Sequence, residues 1–176
     1  MRLGLISDTH LRDPGADLGP EIASLFAGVD LIVHAGDVYV PGVLDWLGRL
    51  APVVCAEGNG DCLLRGDIRV RPAHVLVLEG MTVGVTHGLD YPEPEWRPLE
   101  RAMSHEFGGP VDVLVFGDSH VPVVERCRGV LLVNPGSPTL PRGLVGVAGT
   151  VGLLELRSGR AEARIAQLRA NPAKLA

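Results

Sequence analysis

Five places in this 176-residue chain carry carboxylate, amide or imidazole side chains that could bind metal ions: Asp8 with His10, Asp37, Asn59 with Asp61, His87, and Asp118 with His120. Oxygen and imidazole ligands without sulfur suit Mn, Fe, Zn, Ni, Co or Mg, and the set alone does not choose among them. One ion needs fewer ligands than this. Two ions about 3.5–4 Å apart, bridged by one carboxylate, would use them all. The residue types therefore predict a dinuclear metal site, provided that the five places meet in the fold.

Each of these places follows a short apolar run of the kind that forms a buried strand. The runs are rich in Val, Leu and Ile and are bounded by Gly or Pro. They cover residues 2–6, 29–35, 52–56, 81–86 and 111–116, and further runs cover residues 75–78, 121–124, 130–133 and 151–156. Because the loops beyond the carboxyl ends of α/β strands form the ligand crevice, we expect the polar side chains to converge there.

Taken one at a time, the same residues have ordinary structural explanations. Asp8 is suited to capping the segment that follows it, and Gly36-Asp37 and Asp118-Ser119 are common turn sequences. Asn59-Gly60 is a favoured hairpin turn, and His87 is suited to the end of a strand. Independent explanations of this kind would scatter along the chain, whereas all five places fall at strand ends. The shared position favours the metal site.

The order of the predicted elements indicates an α/β fold. Apolar residues at helical spacing occur in residues 18–26 and 43–50, so the first third of the chain reads as β-α-β-α-β with parallel pairing. From about residue 68 the apolar runs lie closer together. Turns such as Glu79-Gly80 and Arg128-Gly129 favour antiparallel hairpins in this part.

The later part of the chain is expected to contain one more helix, over residues 93–107, which begins among prolines. Residues 161–168 are expected to add a last strand or a helix. We therefore expect residues 1–170 to form a single domain and residues 171–176 to form a frayed C-terminal tail.

Composition and charge narrow the class of protein. The chain is 46% hydrophobic with a formal net charge of -5, which is typical of a globular protein and argues against extended binding to a nucleic-acid backbone. No window reaches the roughly 18 uncharged apolar residues of a membrane span, and the first run meets Asp8 too soon for a signal peptide. We therefore expect a cytoplasmic protein. Cys55, Cys62 and Cys127 lack C-x-x-C spacing, which argues against a disulfide framework or a thiolate zinc site.

At the same five places the chain resembles the calcineurin-like metallophosphoesterases, whose pattern is D-x-H, then G-D, G-N-H-[DE], a lone H, and G-H-x-H. The corresponding residues are Asp8-Thr9-His10, Gly36-Asp37, Gly58-Asn59-Gly60-Asp61, His87 and Gly117-Asp118-Ser119-His120. The order holds from residue 3 to about residue 156. The size and the stretch at residues 134–137 resemble the small single-domain phosphodiesterase branch, which also includes the retromer scaffold subunit. The resemblance implies a four-layer α-β-β-α sandwich of two mixed β-sheets flanked by helices.

The resemblance also implies a role for each residue. Two divalent ions would be held, the first by Asp8, His10, Asp37 and His120 and the second by Asn59, His87 and Asp118. Asp37 would bridge the ions and hold the hydroxide nucleophile, and Asp61 would act from behind the ligands by orienting one of them or capping the turn. Arg142 is a candidate phosphate-binding residue, with an ordinary surface arginine as the alternative. Tyr39 is a candidate for the pocket mouth, and His34 is expected to be a packed strand residue.

Two positions depart from the family pattern. Asp118 stands where the family has a histidine, and because a carboxylate is a harder, anionic ligand it favours Mn or Mg over softer ions. Gly60 stands where the family has its catalytic histidine, which is thought to protonate the leaving group or to steady the phosphoryl oxygens. A general acid typically contributes about 100-fold or more in rate. Esters with easily expelled leaving groups are therefore expected to be better substrates than alkyl monoesters.

Together these observations predict a dinuclear-metal-dependent phosphoesterase that hydrolyses a phosphodiester by attack of a metal-bridging hydroxide. We expect two divalent ions, with Mn favoured over Ni, Zn, Fe, Co and Mg, and a small phosphoester substrate. The sequence is compatible with a homo-oligomer and does not determine the oligomeric state. The alternatives are a protein-interaction scaffold on the same fold and a nucleotide pyrophosphohydrolase. Only one ligand position is changed, and to another donor, so catalysis is favoured over the scaffold.

Overall fold

Two mixed β-sheets form the centre of the molecule, in residues 1–92 and 98–172, which the computed structural model describes. Their strands are β1 (Arg2–Ile6), β2 (Leu31–His34), β3 (Val53–Ala56), β4 (Val70–Arg71), β5 (Ala73–Leu78), β6 (Met81–Thr86), β7 (Val113–Val115), β8 (Val123–Cys127), β9 (Val130–Asn134), β10 (Thr150–Arg157) and β11 (Arg160–Gln167). The first sheet has the strand order β11-β10-β1-β2-β3-β4, and the second has the order β5-β6-β7-β9-β8.

The α-helices of the described residues are α1 (Gly19–Leu25), α2 (Pro41–Gly48) and α3 (Leu99–Phe107). Both α1 and α2 have proline in the first turn, where its missing N–H breaks no helical hydrogen bond. Helix α3 ends at Gly108, whose φ of 73° is the left-handed conformation that commonly terminates helices. Short 3-10 turns span Cys62–Leu64 and Pro141–Gly143. Within the described ranges, none of the helices has the length and apolar character that crossing a membrane requires.

The two sheets face each other across a central apolar cluster. Side chains of both sheets meet there, among them Leu3, Leu5 and Val33 of the first sheet and Val83 and Val115 of the second. Successive side chains of a strand point to opposite faces, so the neighbouring residues of the same strands face outward. Each sheet therefore needs a second apolar layer on its outer face.

The helices supply these outer layers. Helices α1 and α2 pack on the first sheet, in a cluster that includes Ile6, Ile22, Phe26, Ile32 and Leu44. Helix α3 packs on the second sheet, in a cluster that includes Leu99, Met103, Leu114, Phe116 and Leu132. Because both faces of the central strands are covered, the strands read as nearly continuous apolar runs. The predicted four-layer α-β-β-α sandwich is confirmed.

Two strand glycines set how closely the helices approach the sheets. A Cβ on Gly4 of β1 would lie 2.9 Å from Cδ1 of Phe26, and a Cβ on Gly84 of β6 would lie 2.8 Å from Cε2 of Phe107. In each case a phenylalanine at the end of a helix packs its ring on bare strand backbone. Glycine is therefore needed at these positions for close packing.

The structure confirms most of the predicted pairing. Strands β1, β2 and β3 are parallel neighbours, and Glu79-Gly80 and Arg128-Gly129 join antiparallel hairpins. The second half of the chain is not made of hairpins alone, because β7 lies parallel to both β6 and β9. Helix α3 carries the chain back between β6 and β7, as a parallel crossover requires. The last apolar segment forms a strand, β11.

Three further details differ from the predictions. The two-residue strand β4 has no recognisable pattern in the sequence. Helix α3 begins at Leu99, and the earlier residues 93–97 of the predicted helix lie outside the described residues. Asn171 lies in the segment that is expected to fray, but its side chain is 3% exposed. Its Nδ2 donates to the carbonyls of Thr139 at 2.6 Å and Val147 at 2.7 Å. Residues 173–176 of that tail lie outside the described residues.

The loops that follow β1, β2, β6 and β7 meet at one edge of the sandwich. The Asp8 N–H donates to the Gly36 carbonyl at 2.9 Å, and the Gly117 N–H donates to the His87 carbonyl at 2.9 Å. The Asp118 N–H donates to Asp8 Oδ1 at 3.2 Å and joins a loop of the second sheet to a loop of the first. The fold thus brings the strand ends that carry the polar pairs to one place.

Candidate metal centre

The loops after β1 and β7 bring Asp8, His10 and His120 together. His10 Nε2 lies 3.0 Å from His120 Nε2, and Asp8 Oδ1 lies 3.9 Å from His10 Nε2 and 3.6 Å from His120 Nε2. One ligand atom of each residue lies within 4.8 Å of the other two. Nitrogen and oxygen donors at such separations can surround a single cation.

A second group forms around His87. Its Nε2 lies 3.6 Å from Asp37 Oδ1 and 3.5 Å from Asp118 Oδ1, and Asp8 lies within 4.8 Å of both Asp37 and His87. The other oxygen of Asp37, Oδ2, lies 3.6 Å from His10 Nε2 in the first group. The two carboxylate oxygens of Asp37 therefore face different groups, which is the position that a bridging ligand occupies in a two-metal site.

Two of the histidines are oriented by backbone carbonyls. His87 Nδ1 lies 2.7 Å from the Ala35 carbonyl, and His120 Nδ1 lies 2.8 Å from the Leu140 carbonyl. Because a carbonyl only accepts hydrogen bonds, Nδ1 carries the proton in both rings, and Nε2 keeps its lone pair toward the cluster. Metal-binding imidazoles are typically oriented by partners of this kind.

The cluster contains two buried polar atoms that have no hydrogen-bond partner among the described residues, Asp8 Oδ2 and His87 Nε2. Burial raises the pKa of Asp8 to about 6, although the neighbouring Ser7 hydroxyl and the rings of His87 and His120 act in the other direction. Burial also lowers the pKa of His10, although attraction to Asp37 opposes this. A cation would supply the positive charge that the buried carboxylate lacks and would bind the lone pair of His87. The donors and their unpartnered atoms therefore fit divalent metal ions.

Asp61 organises the backbone beneath the cluster. Its side chain is 1% exposed, and the carboxylate accepts backbone N–H groups at 3.0, 2.7, 2.9 and 2.8 Å from Asp37, Val38, Tyr39 and Gly58. Hydrogen bonds from N–H groups to a carboxylate are charge-assisted and stronger than neutral ones. One side chain thereby holds both the loop that carries Asp37 and the turn that carries Asn59.

Five of the seven candidate ligands lie on strained backbone. Their φ angles lie between 48° and 67°, in the left-handed region, at Asp8, His10, Asp37, Asp118 and His120. Residues other than glycine seldom adopt this conformation, and each instance costs of the order of 1 kcal/mol. Such strain persists only where surrounding contacts fix the backbone, and it commonly accompanies functional sites.

Residues 134–139 supply some of these contacts, a role that was not predicted. Asn134 Nδ2 donates to the Gly117 carbonyl at 2.8 Å, Ser137 Oγ donates to the Asp8 carbonyl at 2.7 Å, and Thr139 Oγ1 donates to the Thr9 carbonyl at 2.6 Å. All three side chains are buried. The signal in the sequence is that Asn134, Ser137 and Thr139, set among glycine and proline, come directly after the apolar run 130–133.

His34 lies under the cluster without belonging to it. The ring is fully buried, Gly36 donates its N–H to Nδ1 at 3.2 Å, and Nε2 lies 3.3 Å from Thr9 Oγ1. Burial lowers the pKa of His34 to about 3, against the attraction of Asp61. The prediction of a packed, hydrogen-bonded strand residue is confirmed.

Three of the predicted site residues are exposed. The side chain of Asp118 is 54% exposed although it reaches His87, and Asn59 is exposed in the turn between two glycines. Arg142 is exposed, and its backbone N–H donates to the His120 carbonyl at 3.1 Å. In the described part of the chain, no ion pair or hydrogen bond joins its guanidinium to the cluster. The metal-binding and phosphate-binding roles assigned to these residues stay predictions.

A cavity of about 190 Å³ opens beside Asp118. The described residues that line it are partly apolar and partly acidic, among them Leu89, Tyr91, Leu99, Asp90 and Glu106. Its volume is below the roughly 300–1,000 Å³ of pockets for drug-sized ligands. The cavity therefore suits a small organic group next to the second cluster of donors.

Comparison with known proteins gives a consistent result. A family model of the calcineurin-like phosphoesterase superfamily domain matches residues 1–159. A probable metallophosphoesterase of Methanocaldococcus jannaschii is 42% identical over 143 residues, which cover 81% of this chain and 70% of that protein. The phosphodiesterase YfcE of Escherichia coli is 31% identical over 176 residues and 88% of each chain is covered.

Solved structures resemble the fold over nearly the whole chain. Vps29 from Entamoeba histolytica, as a single mutant, superposes with a TM-score of 0.71 at 18% identity and covers 96% of this chain and 100% of that one. At this identity the likeness shows the fold, with its two mixed sheets and few helices.

The hydrogen bonds of Asp61 predict a large effect of a small substitution. Asp61→Asn should lower the free energy of unfolding by about 2–4 kcal/mol, because an amide has one acceptor oxygen and turns its own N–H groups toward the remaining backbone donors. Urea unfolding followed by circular dichroism measures this. Asp13→Asn is the matched control, since Asp13 accepts one N–H, from Gly15, in an exposed turn. Its effect should stay within about 0.5 kcal/mol, and equal effects of the two substitutions would contradict the role of Asp61.

The lowered pKa of His34 predicts a loss of stability in acid. An unfolded histidine takes up a proton near pH 6.5, whereas the folded one does so only near pH 3. The unfolded state therefore binds more protons between these values, and stability falls as the pH falls through this window.

His34→Asn should remove this contribution, because the amide oxygen can accept the Gly36 N–H while no ring titrates. The slope of unfolding free energy against pH between pH 6 and 4, measured by urea unfolding of metal-free protein, should decrease by about 1.4 kcal/mol per pH unit. The contribution of Asp8 to the slope is present in both proteins and therefore cancels in the comparison. An unchanged slope in His34→Asn would show that His34 titrates normally.

Proposed function

This chain belongs to the calcineurin-like phosphoesterase superfamily, and we propose that it hydrolyses small phosphodiesters with the help of two divalent metal ions. The observation that carries the proposal is the position of Asp37, whose two oxygens lie 3.6 Å from His10 Nε2 and 3.6 Å from His87 Nε2. Two groups of donors that share one carboxylate are what two-metal hydrolysis of phosphate esters requires. The phosphodiesterase of Escherichia coli, similar along most of the chain, supports the same reaction.

The residues around the cluster act mainly by holding the ligands in place. Divalent ions held by these residues would lower the pKa of a bound water and would neutralise charge on phosphoryl oxygens. Asp61 fixes the backbone that carries Asp37, and the carbonyls of Ala35 and Leu140 fix the rings of His87 and His120. Groups oriented in advance stabilise the transition state without reorganising during the reaction.

We further propose Mn as the preferred metal. The donors are carboxylates and imidazoles, and Asp118 adds a hard, anionic ligand beside His87 at 3.5 Å. Hard oxygen ligands favour Mn or Mg, while imidazoles favour the transition metals. Mn satisfies both preferences.

The substrate is proposed to be a small diester with a good leaving group. Gly60 offers no side chain for proton transfer, and the cavity of about 190 Å³ beside Asp118 suits a small group. We also propose that the guanidinium of Arg142 binds a phosphate oxygen. The support for this is that the Arg142 backbone N–H donates to the carbonyl of His120, a candidate ligand.

The likeness to Vps29 supports a second candidate function, a scaffold for other proteins on the same fold. The argument against it is that the donor groups are complete enough to surround two cations, with only position 118 changed. A scaffold has no need of strained ligand residues or of unpartnered buried donors such as Asp8 Oδ2. We therefore place catalysis first.

The bridging position predicts the effect of Asp37→Asn. Changes to groups behind metal ligands cost about 10- to 100-fold in activity, so a change to the shared ligand should lower kcat toward bis(4-nitrophenyl) phosphate by about 100-fold or more. Release of 4-nitrophenol by protein loaded with Mn measures the rate, and metal analysis measures occupancy. A chelator should abolish the activity of the unsubstituted protein, and added Mn should restore it.

Glu125→Gln, at an exposed carboxylate on β8, is the control for Asp37→Asn and should leave kcat unchanged. If protein loaded with Mn, Ni or Zn left activated diesters intact at every pH tried, the scaffold would become the better proposal.

If Asp118 is a ligand, its carboxylate should influence which metal ion the protein prefers. Asp118→His replaces a hard anionic ligand by an imidazole, and this should raise kcat/KM with Ni, Zn or Co relative to Mn by about tenfold. Steady-state rates and calorimetric affinities for each metal measure the change. An unchanged preference would show that Asp118 does not face the second ion.

A further inference from the structure

The phenol ring of Tyr39 occupies the space beside the metal cluster that a side chain at position 60 would need. A Cβ on Gly60 would overlap Cε1 of Tyr39 and would lie 2.8 Å from its Cζ. The φ of Gly60 is not in the left-handed region, so the backbone conformation does not require glycine there. Glycine is required because the ring of Tyr39 packs directly on it.

The same ring touches the first donor group. The rings of Tyr39 and His10 meet edge to face, with centroids 4.8 Å apart and an interplanar angle of 88°. The ring of Tyr39 therefore lies between the candidate ligand His10 and the backbone of Gly60. Grooves of about 390 Å³ and 290 Å³ open beside the ring, and Arg12 and Tyr39 line both of them.

Several contacts hold Tyr39 in this place. Its backbone has a φ of 79°, a conformation that costs energy for a tyrosine, and its N–H donates to Asp61 Oδ1 at 2.9 Å. The guanidinium carbon of Arg12 lies 4.8 Å from the ring centroid, within the range of a cation–π interaction. Asp61 thus positions Tyr39 and Asp37 through the same carboxylate, and Arg12 places a positive charge at the ring.

Hydrolysis of a phosphodiester is helped by a hydrogen-bond donor near the leaving group. Negative charge develops on the leaving oxygen as its bond to phosphorus breaks, and oriented donors stabilise it. The carboxylates of the cluster accept hydrogen bonds, and the Nδ1–H groups of His87 and His120 are bonded to carbonyls. A phenol can donate.

We propose that Tyr39, with Arg12 stacked on its ring, forms the wall of the site that contacts the leaving group, and that the Tyr39 hydroxyl donates a hydrogen bond to the leaving oxygen. The tyrosine keeps its proton throughout. An oxygen from water forms the new bond to phosphorus, and the leaving oxygen takes the electron pair of the bond that breaks and is released to solvent as an anion. This inference rests on the proposed phosphodiesterase function and identifies the residue that selects among leaving groups.

The test compares Tyr39→Phe with the unsubstituted protein on methyl aryl phosphates whose phenols differ in acidity. Phenylalanine keeps the ring on Gly60 and removes the hydroxyl. For phenol as the leaving group, kcat should fall by about tenfold or more, because its oxygen develops a concentrated charge. For 4-nitrophenol, which delocalises the charge, kcat should fall about twofold or less. An equal effect on both esters, or no effect on either, would overturn the role of Tyr39.

A second measurement, on metal-free protein, tests the position of the ring without any activity. Gly60→Ala should lower the midpoint of thermal unfolding by about 4 °C or more, since its methyl group meets the ring. In the Tyr39→Ala background the same substitution should have little effect. Gly109→Ala is the matched control, because a Cβ there meets nothing within 4 Å among the described residues. Equal effects of Gly60→Ala in both backgrounds would overturn the placement of Tyr39.

The two failures are distinguishable. An unsubstituted protein that cleaves none of the aryl diesters would overturn the proposed function, and the role of Tyr39 with it. A protein that cleaves them, and whose Tyr39→Phe variant cleaves all of them equally well, would leave the function standing and overturn the leaving-group contact alone.

Discussion

The candidate site depends on one buried carboxylate that is not among the candidate ligands. Asp61 accepts four backbone N–H groups, three from residues 37–39 and one from Gly58. Backbone donors that are buried must be paired, and no strand or helix supplies partners for these. The side chain therefore substitutes for secondary structure at the point where the chain leaves β2. The position of Asp37 between the two donor groups and the placement of Tyr39 both follow from it.

The strained backbone of the candidate ligand residues shows how stability is divided between the sheets and the site. Their left-handed backbone is unfavourable locally, and it is retained because hydrogen bonds from Ser137 and Thr139 fix the loop that carries Asp8. The rigid layers beneath, with Phe26 packed on Gly4 and Phe107 on Gly84, supply the frame on which such loops can be held. Sites on loops gain their geometry from a scaffold of this kind.

The predictability of the fold from sequence follows from how the strands are buried. Strands covered on both faces leave apolar runs with clear ends, so β1, β6 and the polar residues after them were visible in the sequence. The parallel pairing of β7 with β6 and β9 was not, because pairing across a crossover has no local signature. The two-residue β4 is too short for any pattern. The burial of Asn171 depends on carbonyls of a distant loop, which neighbouring residues do not reveal.

For the site, the identity of the donor residues could be predicted from the sequence, whereas the contacts between distant residues could not. The donor residues and their convergence could be predicted, since carboxyl ends of α/β strands gather at one edge. Their metal-binding roles remain predictions. The contact of Tyr39 with Gly60 joins residues that are far apart in sequence, and a glycine in a turn has several explanations. Only the three-dimensional arrangement distinguishes among them.

The hydrogen bond from His87 to the Ala35 carbonyl, at 2.7 Å, has a consequence for the molecule as a whole. It fastens the second sheet to the first at the open edge of the sandwich, and the same imidazole points its other nitrogen at the cluster. Ligands that bind only the folded state add to its stability by mass action. A cation bound there would link the two sheets, so that loss of the cation and separation of the sheets would be thermodynamically coupled.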